Sequence, residues 1–114
     1  MKTAVKAFSF RRGDTPSLGV ILSGRNIRSQ EILRLPRPGM IVSWTIGWPS
    51  GAVTKTTAPN GGLGLDVRTG VIFWPITDAD VAGLGAALAP YAVAVIESDG
   101  RRTTYLTGTI GAEG

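Results

Sequence analysis

The sequence predicts a single all-β domain of about seven or eight short strands with one short helix. Short segments rich in β-branched and aromatic residues recur along the chain, and clusters of Gly, Pro, Asn and Asp separate them. Only one segment has a helical pattern. The 114 residues suffice for one compact core. We therefore expect residues 1–110 to form the domain and residues 111–114 to form a flexible tail.

The N-terminal part begins with two predicted strands. Residues 4–10 (AVKAFSF) alternate in character, and residues 15–23 (TPSLGVILS) carry Pro16 near their start, where a missing N–H is tolerated. Between them, the RGD tripeptide at residues 12–14 predicts a turn, because glycine accepts a positive φ and aspartate can bond nearby backbone. An adhesive meaning of RGD needs an animal extracellular setting, which nothing in the sequence supports.

The central part contains a predicted connection followed by three strands. Residues 24–39 are polar and hold two prolines, which predicts a connection with at most one helical turn or a short extended piece. Residues 40–48 (MIVSWTIGW) have the composition of a strong strand. Residues 52–58 and 63–67 are shorter predicted strands bounded by turn signals.

The C-terminal part contains the remaining elements. Residues 71–76 (VIFWPI) predict a strand, and residues 77–88 (TDADVAGLGAAL) predict the helix, with Thr77 as its N-cap. Residues 91–98 and 101–110 predict two strands joined by a DG hairpin dipeptide. Short strands with short connections are typical of an antiparallel sandwich or a small barrel.

The residue types available for chemistry are few. The chain has no histidine and no cysteine, which excludes Ser-His-Asp triads, Cys-His dyads, disulfides and thiolate metal sites. Asp78 and Asp80 suit either a carboxylate pair or a helix start, where acids face the positive end of the dipole, and the helix start is favoured. The glycine-rich residues 61–70 lack the lysine and spacing of a phosphate loop. We expect no catalytic residue, no cofactor, no metal and no enzymatic activity.

The net charge of +4 and the pI of about 10.1 would suit a polyanion. The basic residues are scattered and have no interleaved aromatic side chains, which disfavours nucleic-acid binding. No apolar run is long enough to span a bilayer or to serve as a signal peptide. We therefore expect no membrane association.

The tryptophans permit two interpretations. Trp48 lies on the same strand face as Trp44, which is typical of core residues. Alternatively Trp48 and Trp74, each directly before a proline, lie exposed at a sheet edge and anchor a partner. In that interpretation Trp48, Trp74, Arg34 and Arg37 are the candidate partner-binding residues.

Two motifs carry a resemblance to a known family. Near the N-terminus an aromatic-rich strand ends in a Gly-Asp-Thr turn at residues 13–15. The second motif is an ordered series of glycine, apolar, polar and tyrosine positions: Gly70, Val71, Ile72, Thr77, Asp78, Leu84, Tyr91, Val93, Val95, Gly100, Leu106, Gly108 and Ile110. In this order the motifs resemble the small immunoglobulin-like domains of phage and prophage virion proteins, most closely the N-terminal domain of the baseplate upper protein type. Residues 26–38 and Pro90 depart from the family pattern.

The resemblance implies an immunoglobulin-like antiparallel sandwich with a structural role in the capsid, neck or baseplate. It implies contacts with other virion structural proteins and with further copies of the same chain, and no catalytic residues. The expected location is the virion, with the host cytoplasm as the place of assembly. The alternative is a small carbohydrate-binding or adhesion β-sandwich, in which exposed tryptophans would stack on sugar rings.

Overall fold

The computed structural model of the chain describes residues 4–11, 17–25, 32–49, 51–77 and 88–113, which contain ten strands. Five of them form the larger sheet, in the order β1-β10-β9-β5-β6. Their bounds are Ala4–Arg11 for β1, Ile41–Trp48 for β5, Gly51–Thr56 for β6, Ala89–Ile96 for β9 and Arg102–Glu113 for β10. All neighbours in this sheet are antiparallel except β1 and β10, which run parallel.

The last strand is longer than the sequence predicts. It continues through Gly111, Ala112 and Glu113, in the segment expected to be a tail, and there it pairs with the end of β1. The alternation of the sequence indicates a strand at the N-terminus but does not indicate that it lies beside the last strand. The pairing connects backbone across nearly the whole length of the chain.

A second sheet contains three strands in the order β2-β8-β7, with β2 at Ser17–Val20, β7 at Gly64–Asp66 and β8 at Val71–Pro75. A separate hairpin joins β3 (Leu22–Arg25) to β4 (Ile32–Leu35). The predicted strand at residues 15–23 is therefore divided at Ile21. The predicted connection at residues 24–39 contains the short extended piece β4, so the described strands exceed the seven or eight predicted.

The core lies between the two sheets. Alternate residues of β5 point inward, so Val42, Trp44, Ile46 and Trp48 are all buried. Ile72 and Trp74 of β8 oppose them from the smaller sheet, and the rings of Trp44 and Trp74 meet edge to face at 5.7 Å. The all-β prediction is confirmed, and the two sheets pack in a sandwich-like arrangement.

Two predicted elements fall on residues that the structure does not describe. Residues 78–87 of the predicted helix at 77–88 lie outside the described residues, and so does the RGD turn at residues 12–14. Asp78 and Asp80 lie outside them as well. Within the described residues, no helix has the length and apolar character needed to cross a membrane.

Trp44→Ala tests the central position of Trp44 in the core. We expect a loss of about 3–5 kcal/mol in the free energy of unfolding, because the substitution removes a fully buried indole and leaves a cavity. Urea denaturation measures this loss. Val67→Ala, at an exposed turn position, is the control and should change stability by no more than about 0.5 kcal/mol. Equal effects of the two substitutions would contradict the assignment.

Candidate functional site

Both tryptophans proposed as partner anchors lie in the core. Trp48 is 4% exposed and Trp74 is fully buried, so the interpretation that placed them at an exposed sheet edge is corrected. The reason is that side chains alternate between the two faces of a strand. Trp48 shares the inward face of β5 with Trp44, and Trp74 lies opposite Leu18 on the inward face of the smaller sheet. The proline after each tryptophan ends or nearly ends the strand without turning the indole outward.

The indole nitrogens of all three tryptophans are buried and have no hydrogen-bond acceptor among the described residues. Their contribution to the core is therefore that of large apolar rings. A ring of this kind cannot present a flat face to a ligand at the surface. The aromatic platform expected from the sequence is absent from the described surface near Trp48 and Trp74.

The two candidate arginines belong to other elements than the tryptophans. Arg37 is exposed and occupies the first position of a turn before β5, in which its carbonyl accepts the N–H of Met40 at 3.0 Å. Pro38 and Gly39 are the central residues, and the φ of 85° at Gly39 is typical of a type II turn. Arg34 lies in β4 opposite Ser23 in the backbone register. The exposed Arg37 therefore lies in a surface turn, whereas Trp48 and Trp74 lie in the core.

The outward side of the larger sheet is a different kind of surface. We call it the outer face, and its accessible part is formed by small residues that alternate with the core residues: Thr45, Gly47, Ala52, Thr54, Pro90, Ala92, Thr107 and Thr109. None of these residues is charged. The hydroxyls of Thr45 and Thr54 hydrogen-bond across β5 and β6 at 2.8 Å. The outer face is therefore an uncharged surface of small residues over four strands, and Ser43 and Ala94, which have the same orientation, are only 2% exposed.

A shallow depression lies on the outer face. It is lined by Thr45, Gly47, Pro90, Tyr91 and Ala92, and its surface is mostly apolar. A β-carbon at Gly47 would lie 3.2 Å from Cγ of Pro90, so glycine leaves room for the proline ring of the adjacent strand. No side chain in this lining is an acid–base group at neutral pH. The depression suits contact with another molecule rather than reaction chemistry.

Sequence reasoning missed the outer face because it concentrated on the large residues. The available signal was the run of small residues between the core positions of residues 41–48 and 89–96. Long charged residues usually occupy the solvent side of an exposed sheet. The sequence shows that residues 41–48 and 89–96 contain no charged residue. It does not show that β5 and β9 are neighbours in the sheet.

The described acids near turns have structural roles. Asp66 Oδ1 accepts the backbone N–H groups of Arg68 and Thr69, and Asp99 Oδ1 accepts that of Arg101. The backbone N–H of Arg101, followed by its side chain, lowers the pKa of Asp99 by bonding to the carboxylate. No group of three or more metal-ligating side chains occurs within the described ranges. These carboxylates hold hairpin turns in shape.

Lys55 makes a long-range contact that the sequence did not indicate. Its ammonium nitrogen lies 4.6 Å from the centre of the Trp74 ring, so this residue of β6 reaches across to the smaller sheet. The lysine stem passes over Gly62, which has a φ of 97° and where a β-carbon would lie 2.9 Å from Cδ of Lys55. A side chain at position 62 would displace the lysine.

The sequence matches no family model, and no curated protein has significant similarity to it. The geometry described above is therefore the basis for any functional assignment, together with the resemblance in motif order.

Lys55→Met tests the contact between the ammonium group and Trp74. Methionine keeps much of the apolar stem but removes the charge, and we expect a loss of about 0.5–1 kcal/mol in the free energy of unfolding. Lys55→Arg is the matched control because it keeps a cation that can lie over the ring, and it should retain most of the stability. Chemical denaturation of the three forms gives the comparison. Equal stability of Lys55→Met and the unaltered chain would contradict a stabilising contact.

Tyr91 gives a prediction about alkaline stability. Burial raises the pKa of its phenol from about 10 to about 12. Since the folded state disfavours the phenolate, its contribution to stability is fully present below pH 10 and is lost as the pH rises from 10 to 12. Thermal melts across this range should show a steeper loss for the unaltered chain than for Tyr91→Phe. Parallel pH profiles of the two forms would contradict this assignment.

Proposed function

We propose that the chain is an immunoglobulin-like domain that acts by protein–protein contact as a structural module of a phage virion. The strand order supports the first part of this proposal. In variable-type immunoglobulin domains one sheet contains the neighbouring strands G, F, C and C′, and the other contains B, E and D. The orders β10-β9-β5-β6 and β2-β8-β7 match this arrangement when the strands are lettered in chain order. The β3–β4 hairpin is then an insertion between B and C.

Two core positions further support the immunoglobulin-like assignment. Trp44 is buried on the strand that corresponds to C, where antibody domains carry their buried tryptophan. Tyr91 lies near the start of the strand that corresponds to F, two residues before the buried Val93. In antibody domains a tyrosine precedes the second cysteine by the same spacing. Here an apolar residue occupies the cysteine position, so packing replaces the disulfide.

The uncharged outer face is the observation that carries the contact function. The buried centres of protein interfaces are depleted of charged residues, because each charge would have to lose its hydration on binding. Thr45, Ala92 and Thr107 lie in one row across the middle of this face. Another virion structural protein with a similarly uncharged, weakly polar surface fits such a face.

The arginines at the periphery suit a role in orientation. Arg102 lies at one end of the outer face opposite Ile96, and Arg37 is exposed in the turn before β5. Charges at the rim of an interface steer the encounter and fix register more than they add affinity. We therefore propose that they face acidic groups on the virion partner.

The burial of the tryptophans disfavours the carbohydrate-binding alternative. Stacking on a sugar ring needs an indole face open to solvent, whereas Trp44, Trp48 and Trp74 are all in the core. The proposed role needs no cofactor and no catalytic group. Its location is the virion, with assembly in the host cytoplasm.

Ala92→Arg tests the outer face as a virion contact. The substitution places a charge at the centre of the face, where desolvation would oppose docking, and we expect at least about a tenfold loss of incorporation into particles. Val67→Arg is the matched control, since it adds the same charge at a residue that is 88% exposed and lies in the turn between β7 and β8 of the smaller sheet. Quantitative proteomics of purified virions measures incorporation. Absence of the unaltered chain from particles would reject the virion role, and equal incorporation of both variants would reject the outer face.

A further inference from the structure

The edge of the larger sheet at β6 is open over a short, defined stretch. Thr57 donates its N–H to the carbonyl of Val42 at 3.1 Å, which fixes the alternation of hydrogen bonds between β5 and β6. It follows that Lys55, Val53 and Gly51 direct their backbone groups toward β5. Thr56, Thr54 and Ala52 direct theirs away from it.

One of these three outward residues is already bonded. Thr56 donates to the carbonyl of Gly61 at 3.0 Å and accepts the N–H of Leu63 at 3.1 Å. Nothing among the described residues pairs with the remaining edge, and Gly51 through Thr54 are exposed. The available edge therefore consists of the backbone groups of Ala52 and Thr54.

Natural proteins protect such edges by several means, among them a lysine that projects from the edge strand. β6 has a lysine, but the ammonium group of Lys55 lies over the ring of Trp74 inside its own domain. The residues left on the open part of the edge are Gly51, Ala52, Val53 and Thr54, and none of them is charged. The edge is therefore unprotected where its backbone groups are free.

We propose that β6 pairs antiparallel with β6 of a second copy of this chain, across a two-fold axis at Val53. Ala52 then lies opposite Thr54 of the second copy, and Thr54 opposite its Ala52. These two pairs form about four backbone hydrogen bonds and use every free group of the edge. The two larger sheets become one continuous sheet through both copies.

The identity of the occupant follows from the self-complementarity of this register. Val53 meets Val53 of the second copy in the close, non-hydrogen-bonded arrangement, at about 4.5 Å between α-carbons. Lys55 lies opposite Gly51 of the second copy, so no like charges face each other directly. A register with Ala52 opposite Thr56 would require the backbone N–H and carbonyl of Thr56. These groups already form hydrogen bonds with Gly61 and Leu63.

The neighbouring loop also permits this register. The segment that bonds Thr56 lies beyond one end of the open edge, beside the position where β6 of the second copy begins at Gly51. β5 of the second copy lies on the other side of its β6, away from the interface. The loop therefore has no partner strand running through it.

This inference deepens the proposed contact function and rests on it for its biological setting, but its test uses the isolated chain. If the virion role is wrong, proteomics of purified virions does not detect the unaltered chain. If the edge pairing is wrong, the isolated chain stays monomeric in sedimentation equilibrium. The two failures are thus distinguishable.

Val53→Lys and Val53→Glu test the two-fold pairing. Each variant alone places like charges opposite each other at the axis, whereas an equimolar mixture places lysine opposite glutamate. We expect the unaltered chain to dimerise in sedimentation equilibrium at concentrations up to about 1 mM. Each variant alone should bind itself at least about tenfold more weakly, and the mixture should recover a heterodimer. Recovery in the mixture also shows that both variants fold.

A second pair of variants tests the backbone bonds. Thr54→Pro removes the outward N–H but none of the bonds to β5, and it should weaken the dimer about as much as the charge variants do. Thr54→Ala is the matched control, because it removes the same hydroxyl but keeps the N–H, and it should dimerise like the unaltered chain. A monomer at all concentrations would overturn the proposal. A dimer that persists in the Val53 and Thr54→Pro variants would also overturn it. A dimer that Ala92→Arg disrupts, while the Val53 and Thr54→Pro variants do not, would overturn it as well.

Discussion

The contact between Trp44 and Trp74 is the interaction on which the rest of the molecule depends. It joins the larger sheet to the smaller one through two fully buried rings at 5.7 Å, and Phe8 and Tyr91 pack around Trp44 at ring distances of 6.1 and 5.9 Å. Neither indole nitrogen has an acceptor among the described residues, so shape and apolar area provide the stabilisation. With no disulfide available, this aromatic cluster performs the cross-linking role at the centre of the sandwich.

The same core contact also affects the edge of the larger sheet at β6. The inward positions of β5 hold large residues, whereas its outward positions Thr45 and Gly47 are small. Because Trp74 lies under the end of β6, its ring attracts the ammonium group of Lys55 and holds it inside the domain. The ring of Trp74 in the core thus leaves the β6 edge without a projecting lysine.

The sequence was most informative where one physical pattern dominated. Alternation of residues 40–48 predicted both the strand and the shared face of Trp44 and Trp48, since side chains alternate along any strand. It was uninformative about pairing, because the parallel position of β1 beside β10 depends on contacts between distant residues. The exposure of Trp48 and Trp74 was also ambiguous from sequence, since a following proline is compatible with either orientation. The Lys55 contact required knowledge of which strands face each other.

The parallel pairing of β1 with β10 has a consequence for how the chain folds during synthesis. Ala4 pairs with Leu106, about 100 residues later, so the first strand emerges from the ribosome long before its neighbour exists. Closing so long a loop costs entropy before any contact compensates it. Until the last strand is released, the edge of β1 that pairs with β10 has no partner strand. The complete five-stranded sheet can therefore form only after β10 has been synthesised.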